Sequence, residues 1–194
     1  VMIGKEYERK MKKVYGIERL FLFLLFLLIL FPINIFGEIN FKNFNCTDGL
    51  SNNTVKCITQ DKQGFMWFGT FDGLCRFDGV NFTVFKYDVQ DKTSISNNRV
   101  SVILPVNDGL WLGTDAGLNH YSYKDGCFRK CVQQMPSGEF LTMNVPINSI
   151  VNNGWNILVL DSFGRIFVWK KDLKFEQYYF GKEKFCTICP YKKG

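Results

Sequence analysis

The chain of 194 residues is 46% hydrophobic, 22% charged and 16% aromatic, with 20 Phe and one His, the balance of a folded globular chain of one domain or slightly more. That single His, His120, excludes a two-His metal site and leaves a Ser-His-Asp triad only one residue to draw on. The net charge of +6 divides evenly, +3 from six basic and three acidic groups in residues 1–37 and +3 from 18 basic and 15 acidic groups scattered over the rest; without a basic cluster, nucleic-acid binding by this segment is not expected.

The first element is the run Leu20–Phe31, twelve consecutive large apolar residues preceded by Lys12, Lys13 and Arg19 and followed by Pro32, Asn34 and Phe36-Gly37-Glu38. A positive leader, an apolar stretch of this length and a small residue at the exit predict a secretory signal peptide over 1–37, processed near Gly37. Ile33 and Ile35 lengthen the apolar stretch to about 17 residues, near the lower limit for crossing a bilayer. A retained membrane anchor is therefore the competing reading, and Pro32 and Asn34 argue against it. Met11, just before Lys12-Lys13, is a more natural start than Val1. Under either reading the rest of the chain is exported, to the periplasmic side of the inner membrane.

In an oxidising compartment the seven cysteines (Cys46, Cys57, Cys75, Cys127, Cys131, Cys186 and Cys189) are an odd set, so at least one has no partner within the chain. Cys57 and Cys75 lie in strand-like stretches and read as small buried hydrophobes. Cys186-Thr-Ile-Cys189 has neither the second Cys pair nor the His that a zinc site needs, and no βαβ setting for a redox pair. Cys46 lacks the small-residue motif of a lipid anchor. No metal and no cofactor are expected.

From residue 45 the sequence repeats itself. Ser51-Asn52-Asn53-Thr54-Val55 returns as Ser96-Asn97-Asn98-Arg99-Val100, an offset of 45, and Trp67-Phe68-Gly69-Thr70 returns as Trp111-Leu112-Gly113-Thr114, an offset of 44. Phe71-Asp72-Gly73-Leu74 likewise returns as Asp115-Ala116-Gly117-Leu118. A degraded third copy follows, Asn148-Ser149-Ile150 standing for the Ser-Asn-Asn block and Ile157–Gly164 for the Trp-x-Gly-Thr-x-x-Gly block. A period near 45 residues, with four short strands in each, is that of a propeller blade.

The first copy reads as strands Val55–Asp61, Phe65–Thr70, Leu74–Phe77 and Phe82–Tyr87, the second as Val100–Val106, Leu110–Thr114, Leu118–Tyr121 and Cys127–Val132. Asp72-Gly73 and Asp78-Gly79 are hairpin signals of the type in which both turn residues take positive φ. The second strand is apolar on both faces, as in a sheet packed between two others. Gly69 and Gly113 within it mark a close approach of another backbone. The fold class is therefore all-β, about three four-stranded blades of an incomplete propeller after an N-terminal hydrophobic helix. Its divisions are 1–37 signal or anchor, 45–93 repeat 1, 94–143 repeat 2, 144–181 degenerate repeat 3 and an unassigned tail over 182–194.

The strings Gly49–Phe85 and Gly109–Tyr121 resemble the two-component regulator propeller repeat, over about residues 45–180 in all. The resemblance implies the N-terminal part of a hybrid two-component sensor histidine kinase of the Bacteroidetes type. In such receptors a signal peptide precedes two seven-bladed propellers, an immunoglobulin-like domain, a membrane helix, a kinase, a receiver and a DNA-binding domain. The ligands implied are oligosaccharides, and the partners are the remaining blades and a second receptor subunit. Three blades do not close a ring, so the chain reads as a fragment. It has no kinase Gly boxes, no receiver pattern, and only Asn119-His120-Tyr121 where a phosphoacceptor motif would be needed. It is not expected to be an enzyme.

Among individual residues, Trp67 and Trp111 share a repeat position and read as packing residues. Asp72, Asp78 and Asp115 read as turn residues, and the Ser-Asn-Asn blocks likewise, with a ligand-lining role as their alternative. His120 stands where the repeat usually has Arg or Lys and reads as a half-exposed strand residue. Trp155 has no counterpart in the other copies and follows Asn152-Asn153-Gly154 in a loop, which makes it the candidate ligand contact. The function expected is periplasmic sensing of a ligand, an oligosaccharide by the resemblance. The alternatives are a protein-binding or structural propeller, and an exported polysaccharide-active enzyme, for which the clustered acid–base residues are missing.

Overall fold

The computed structural model describes residues 15, 18–26, 41–178, 185 and 187–189. It forms two compact units, 1–42 and 43–194. In the first, residues 18–26 are helical and their apolar side chains exposed; the remainder of the Leu20–Phe31 run and the expected processing position at Gly37 lie outside the described residues. Among the described residues no helix is long and apolar enough to cross a membrane.

The second unit is built almost wholly of strands, after one short 3-10 turn, Cys46–Asp48. The first sheet holds β1 (Val55–Gln60), β2 (Met66–Thr70), β3 (Gly73–Phe77) and β4 (Phe82–Phe85); the second holds β5 (Val100–Pro105), β6 (Gly109–Thr114), β7 (Gly117–Ser122) and β8 (Phe128–Lys130). Both are antiparallel meanders in sequence order. The third sheet runs β11 (Ile147–Asn152), β12 (Ile157–Asp161), β13 (Ile166–Lys171) and β14 (Lys174–Tyr178), and it is extended beyond β14 by β9 (Val132–Gln134) and β10 (Phe140–Thr142).

The sheets stack through two apolar cores. Trp67 and Leu74 of the first sheet meet Leu110, Leu112, Tyr121 and Phe128 of the second. On the other face of the second sheet Trp111 and Leu118 meet Ile150, Val159, Phe167 and Phe175 of the third. β6 lies between the two cores and is buried along its whole length, which is why Gly109–Thr114 reads as a nearly continuous apolar run. Contact between sheets concentrates on their first two strands: β1 and β2 touch β5, and β5 and β6 touch β11.

The close approach expected at Gly69 and Gly113 is present. A methyl group on Gly69 would run into Cys57 Sγ and lie 2.9 Å from Val100 Cγ1, and one on Gly113 would lie 2.6 Å from Val102 Cγ1 and 2.8 Å from Ile147 Cγ2. Val100 and Ile147 each open the first strand of the following sheet. At the same level every first strand is bulged, between Val55 and Cys57, Val100 and Val102, and Ile147 and Ser149, the extra residue bending the strand against its neighbour.

Four expectations change. The Asp-Gly turns do not carry two positive φ values; only Gly73 and Gly79 do, at 123° and 103°. Gly73 follows the two loop residues Phe71-Asp72, and Gly79 lies within the four-residue loop 78–81; each takes the left-handed conformation alone. The turn with both residues left-handed is Asp172-Leu173, at 50° and 62°, a two-residue loop between the paired Lys171 and Lys174 in which Leu173 is held by packing against the second core. The strand expected over Cys127–Val132 is two, because Cys131 turns into the core between β8 and β9, and β9 pairs in parallel with β14. The third sheet therefore has six strands rather than four. The third Ser-Asn-Asn equivalent is Met143-Asn144-Val145: Ile147 pairs with Asp161 as Val55 does with Thr70, so Asn148-Ser149-Ile150 lies inside β11.

Gly113→Ala is expected to lower unfolding stability by about 1–3 kcal/mol, the usual cost of overpacking a filled core, as measured by chemical denaturation.

Candidate functional site

The repeated polar residues are structural. Ser51 Oγ meets Thr70 Oγ1 at 2.9 Å and Ser96 Oγ meets Thr114 Oγ1 at 2.8 Å. Each threonine hydroxyl also donates to the carbonyl of Gly73 or Gly117 at 2.9 Å, which leaves it to accept from the serine. Cys75 Sγ and Asn119 Nδ2 close the two clusters by donating to those serines at 3.0 and 2.7 Å. Asn52 and Asn97 accept the N–H two residues on, both at 2.8 Å, the local turn that favours Asn there. Asn98 bridges the sheets: its carbonyl accepts from Gly73 N–H at 2.7 Å and its amide donates to Asp72 at 3.1 Å.

The three aspartates divide. Asp78 accepts from the backbone N–H groups of Asn81 and Val80, which hold its carboxyl below the ordinary range. Asp72 and Asp115 bind side chains, Lys86 at 2.6 Å and Arg99 at 3.4 Å. In the third sheet Asp161 takes the Thr position and is fully buried, receiving the N–H groups of Phe163 and Arg165 and the Arg165 guanidinium.

The tryptophans of β2 and β6 sit at the two seams, as packing residues. Trp67 donates its indole N–H to Asp61 Oδ2 at 2.7 Å, and Tyr123 of the second sheet reaches the same oxygen at 3.3 Å. Burial, with Asp61 beside it, pushes the Tyr123 hydroxyl well above its usual value. The Arg76 guanidinium lies 4.8 Å over the Phe65 ring. Cys57, expected as a small buried hydrophobe, is half-buried, and its thiol is pushed up to about 11 by burial. Cys75 and Cys131 are buried, and the described cysteines are free thiols; Cys186 lies outside the described residues.

At the second seam His120 is 8% exposed, not half-exposed as its strand position implied, because it packs 4.6 Å from the Trp111 ring. Its Nε2 lies 4.0 Å from Asp108. Burial holds its imidazole below the ordinary value, against the pull of Asp108. Beside it opens a cleft of about 500 Å³ between the second and third sheets, lined by Trp111, His120, Arg129, Trp169, Asp108 and Asp172 among others. Nothing in the sequence marks this cleft, since its walls come from seven separate turns and strands.

Trp155 is 91% exposed at the tip of the β11–β12 turn. Asn153 Oδ1 accepts the N–H groups of Trp155 and Asn156 at 3.0 and 2.8 Å, and Gly154 supplies a φ of 88°. The turn ends at Ile157, which lines the cleft. The Trp155 indole is thus exposed on a turn that bonds to itself. Among the described residues no group of three or more His, Cys, Asp or Glu could hold a metal.

Residues 49–72 match the two component regulator propeller family. Over 56 residues the chain is 50% identical to histidine kinase P4 of Formosa agariphila, an alignment covering 29% of this chain and 4% of the kinase. Among solved structures it is similar to the extracellular domain of the hybrid two component system BT3049 from B. thetaiotaomicron, with 30% identity, a TM-score of 0.61 and coverage of 73% of this chain and 20% of that one. The extracellular domain of BT4673 from the same organism shares the fold at 22% identity and a TM-score of 0.54, over 73% and 21% of the respective chains. The chain thus spans about a fifth of these solved relatives and a small part of the kinase.

Trp67→Ala is expected to cost about 3–5 kcal/mol, as for a large aromatic lost from a core, and Trp155→Ala to stay within about 0.5 kcal/mol; parallel thermal melts check both. A second expectation follows from His120. The unfolded chain takes up its proton first as pH falls, so stability decreases below about pH 6.5 and levels off once the folded form is protonated too. Melting temperatures of wild type and His120→Gln between about pH 7.5 and 5.5 test this, the variant showing the smaller decline. The window is separate from that of Asp78 and Asp91, whose lowered values act below the ordinary carboxylate range.

Proposed function

We propose, for a chain homologous to the extracellular sensor domains of two-component receptors, that its three sheets are consecutive blades of a propeller that senses an oligosaccharide on the periplasmic side of the membrane. The observation that carries the propeller reading is the succession of first strands: β1 neighbours β5 and β5 neighbours β11, as inner strands do around a common axis. The ring is completed by further blades, and the leader over 1–37 directs export. Signal relay through a histidine kinase, and a receptor dimer, belong to the whole receptor.

Trp155 is the ligand contact in this reading, supported by its exposure and its rigid turn. An enzyme reading finds less support, because Asp61, Asp78 and Asp161 are engaged by backbone N–H groups and Asp72 and Asp115 are paired with Lys86 and Arg99.

The test is a titration of the chain, purified from periplasmic extracts, with a panel of plant and host oligosaccharides, together with its intact mass. Saturable binding without turnover, weakened by Trp155→Ala, on a product lacking residues 1–37 is the expected result. Turnover abolished by one Asp→Ala change overturns the sensor reading, and a product retaining residues 20–31 replaces the cleaved signal with the anchor.

A further inference from the structure

We infer that Asn153 is a covalent modification site built into the β11–β12 turn, where the Gly154 nitrogen displaces the Asn153 side-chain amide and the chain gains a carboxylate beside Trp155. Asn153-Gly154 is the one Asn-Gly pair in the 194 residues. An asparagine reacts in this way when the next backbone nitrogen reaches its side-chain carbon, and a following glycine has no Cβ to block that approach. The step is intramolecular, so the placement of the two groups governs its rate. A Cβ added at Gly154 would meet nothing within 4 Å, and residues 152–156 are all exposed. Water and hydroxide reach the turn freely.

The Asn153 carboxamide is folded forward over the turn. Its Oδ1 accepts the N–H of Trp155 at 3.0 Å and that of Asn156 at 2.8 Å. As the Gly154 nitrogen adds to Cγ, negative charge gathers on this same Oδ1. Two backbone donors already face it, the arrangement that stabilises a tetrahedral oxyanion. The opposing restraint is Asn152, whose Oδ1 accepts the Gly154 N–H at 2.8 Å. That hydrogen leaves before the nitrogen attacks, so parting this contact belongs to the barrier.

Solvent hydroxide takes the Gly154 N–H proton, and the nitrogen bonds to Asn153 Cγ. The bond from Cγ to Nδ2 then breaks, and Nδ2 leaves as ammonia with a proton from water, which restores the hydroxide. One water molecule opens the resulting cyclic imide at either carbonyl, leaving aspartate or isoaspartate in place of Asn153. Either product carries a carboxylate ionised at neutral pH. The isoaspartyl product also runs the main chain through the former side chain, which lengthens the turn that presents Trp155. An effect on recognition rests on the reading of Trp155 as the ligand contact; the chemistry does not.

Other asparagines lack a part of this arrangement. Asn52 and Asn97 make a forward bond to the N–H of Thr54 and Arg99, but each precedes a second asparagine, whose side chain crowds the nitrogen. Asn98 is held by the Tyr87 N–H and by Asp72, and Asn107 by Lys62.

The experiment incubates the full chain at body temperature, at neutral and at mildly alkaline pH. The tryptic peptide 131–165 is sequenced by mass spectrometry against a zero-time digest, and isoaspartate is counted with isoaspartyl methyltransferase. Conversion at Asn153 ahead of the other asparagines of the described chain, faster at the higher pH, is the expected result. Asn153→Ser, whose hydroxyl still accepts within the turn, abolishes the isoaspartate signal from this peptide. Asn152→Ala, which frees the Gly154 N–H, accelerates conversion by about two- to tenfold, the worth of one hydrogen bond expressed as a rate. An Asn153 that stays intact while another described asparagine converts overturns the site, as does a chain in which none converts. A rate that Asn152→Ala leaves unchanged overturns the part given to the turn. Ligand binding does not enter the readout, so this result stands or falls apart from the sensor reading.

Discussion

Everything in the stack depends on two glycines in equivalent strands. A sheet of four strands buries its faces only if the next sheet comes close, and the closest point is where the next first strand passes β2 or β6. At Gly69 and Gly113 there is no room for a methyl group between Val100 or Ile147 and the strand behind. The cores on either side, with Trp67 in one and Trp111 in the other, are filled at that spacing and no other, since interiors tolerate little change of volume. In the third sheet the pairing Ser149↔Leu160 occupies the level of Cys57↔Gly69, so a fully buried Leu160 stands where the first two sheets leave a notch. The third copy is degenerate at the residue that sets spacing, not merely in its surface.

The same degeneracy runs through the polar contacts. Ser and Thr hydroxyls tie the loop before β1 and β5 to the end of β2 and β6. In the third sheet Met143 and Asp161 replace them, the methionine joining the core and the aspartate gathering its own turn. One constant survives all three: the N–H of Phe71, Asp115 and Ser162 donates to the carbonyl of Thr54, Arg99 and Pro146. Backbone hydrogen bonds persist where side chains drift, because every residue but proline carries the donor. This is why the third sheet keeps the meander after losing the Trp, the Gly and the Thr that mark the motif.

How far the sequence could be read follows from this. The strands of the first two sheets lie within a residue or two of their expected limits, apart from the broken one after Phe128, because the 44-residue offset aligns turn with turn. Trp67 and Trp111 were legible as packing residues for the same reason. His120 was not, since its burial comes from Trp111 across the strand and from the third sheet, neither of which is local. The β9–β10 hairpin was illegible too: its parallel bond to β14 joins segments about 40 residues apart with no repeat to announce it. Trp155 was visible by being unrepeated, whereas the cleft was hidden because residues far apart in the chain, from Val106 to Leu173, line it.

The contrast between the seams also bears on why a repeat protein would keep an imperfect copy. In a stack, each interface contributes its own share of stability. Val106 stands where the first seam has Asp61, which removes a desolvation cost, and each seam holds one buried nitrogen with no partner among the described residues, Arg76 Nε in the first and Trp169 Nε1 in the second. The left-handed Asp172-Leu173 turn on the same wall is a two-residue hairpin loop, whose backbone twist matches that of its strands. Both features, the valine and the turn, sit at one seam, next to the turn of the most exposed tryptophan of the described chain. The first seam supplies the rigid support for both, since the Asp61–Trp67–Tyr123 contacts and the core around Leu110 and Leu112 fix β6, and β6 in turn fixes Trp111 on the cleft side. A regular repeat provides the scaffold, and its third, irregular copy keeps that scaffold's backbone hydrogen bonds while its side chains depart from it.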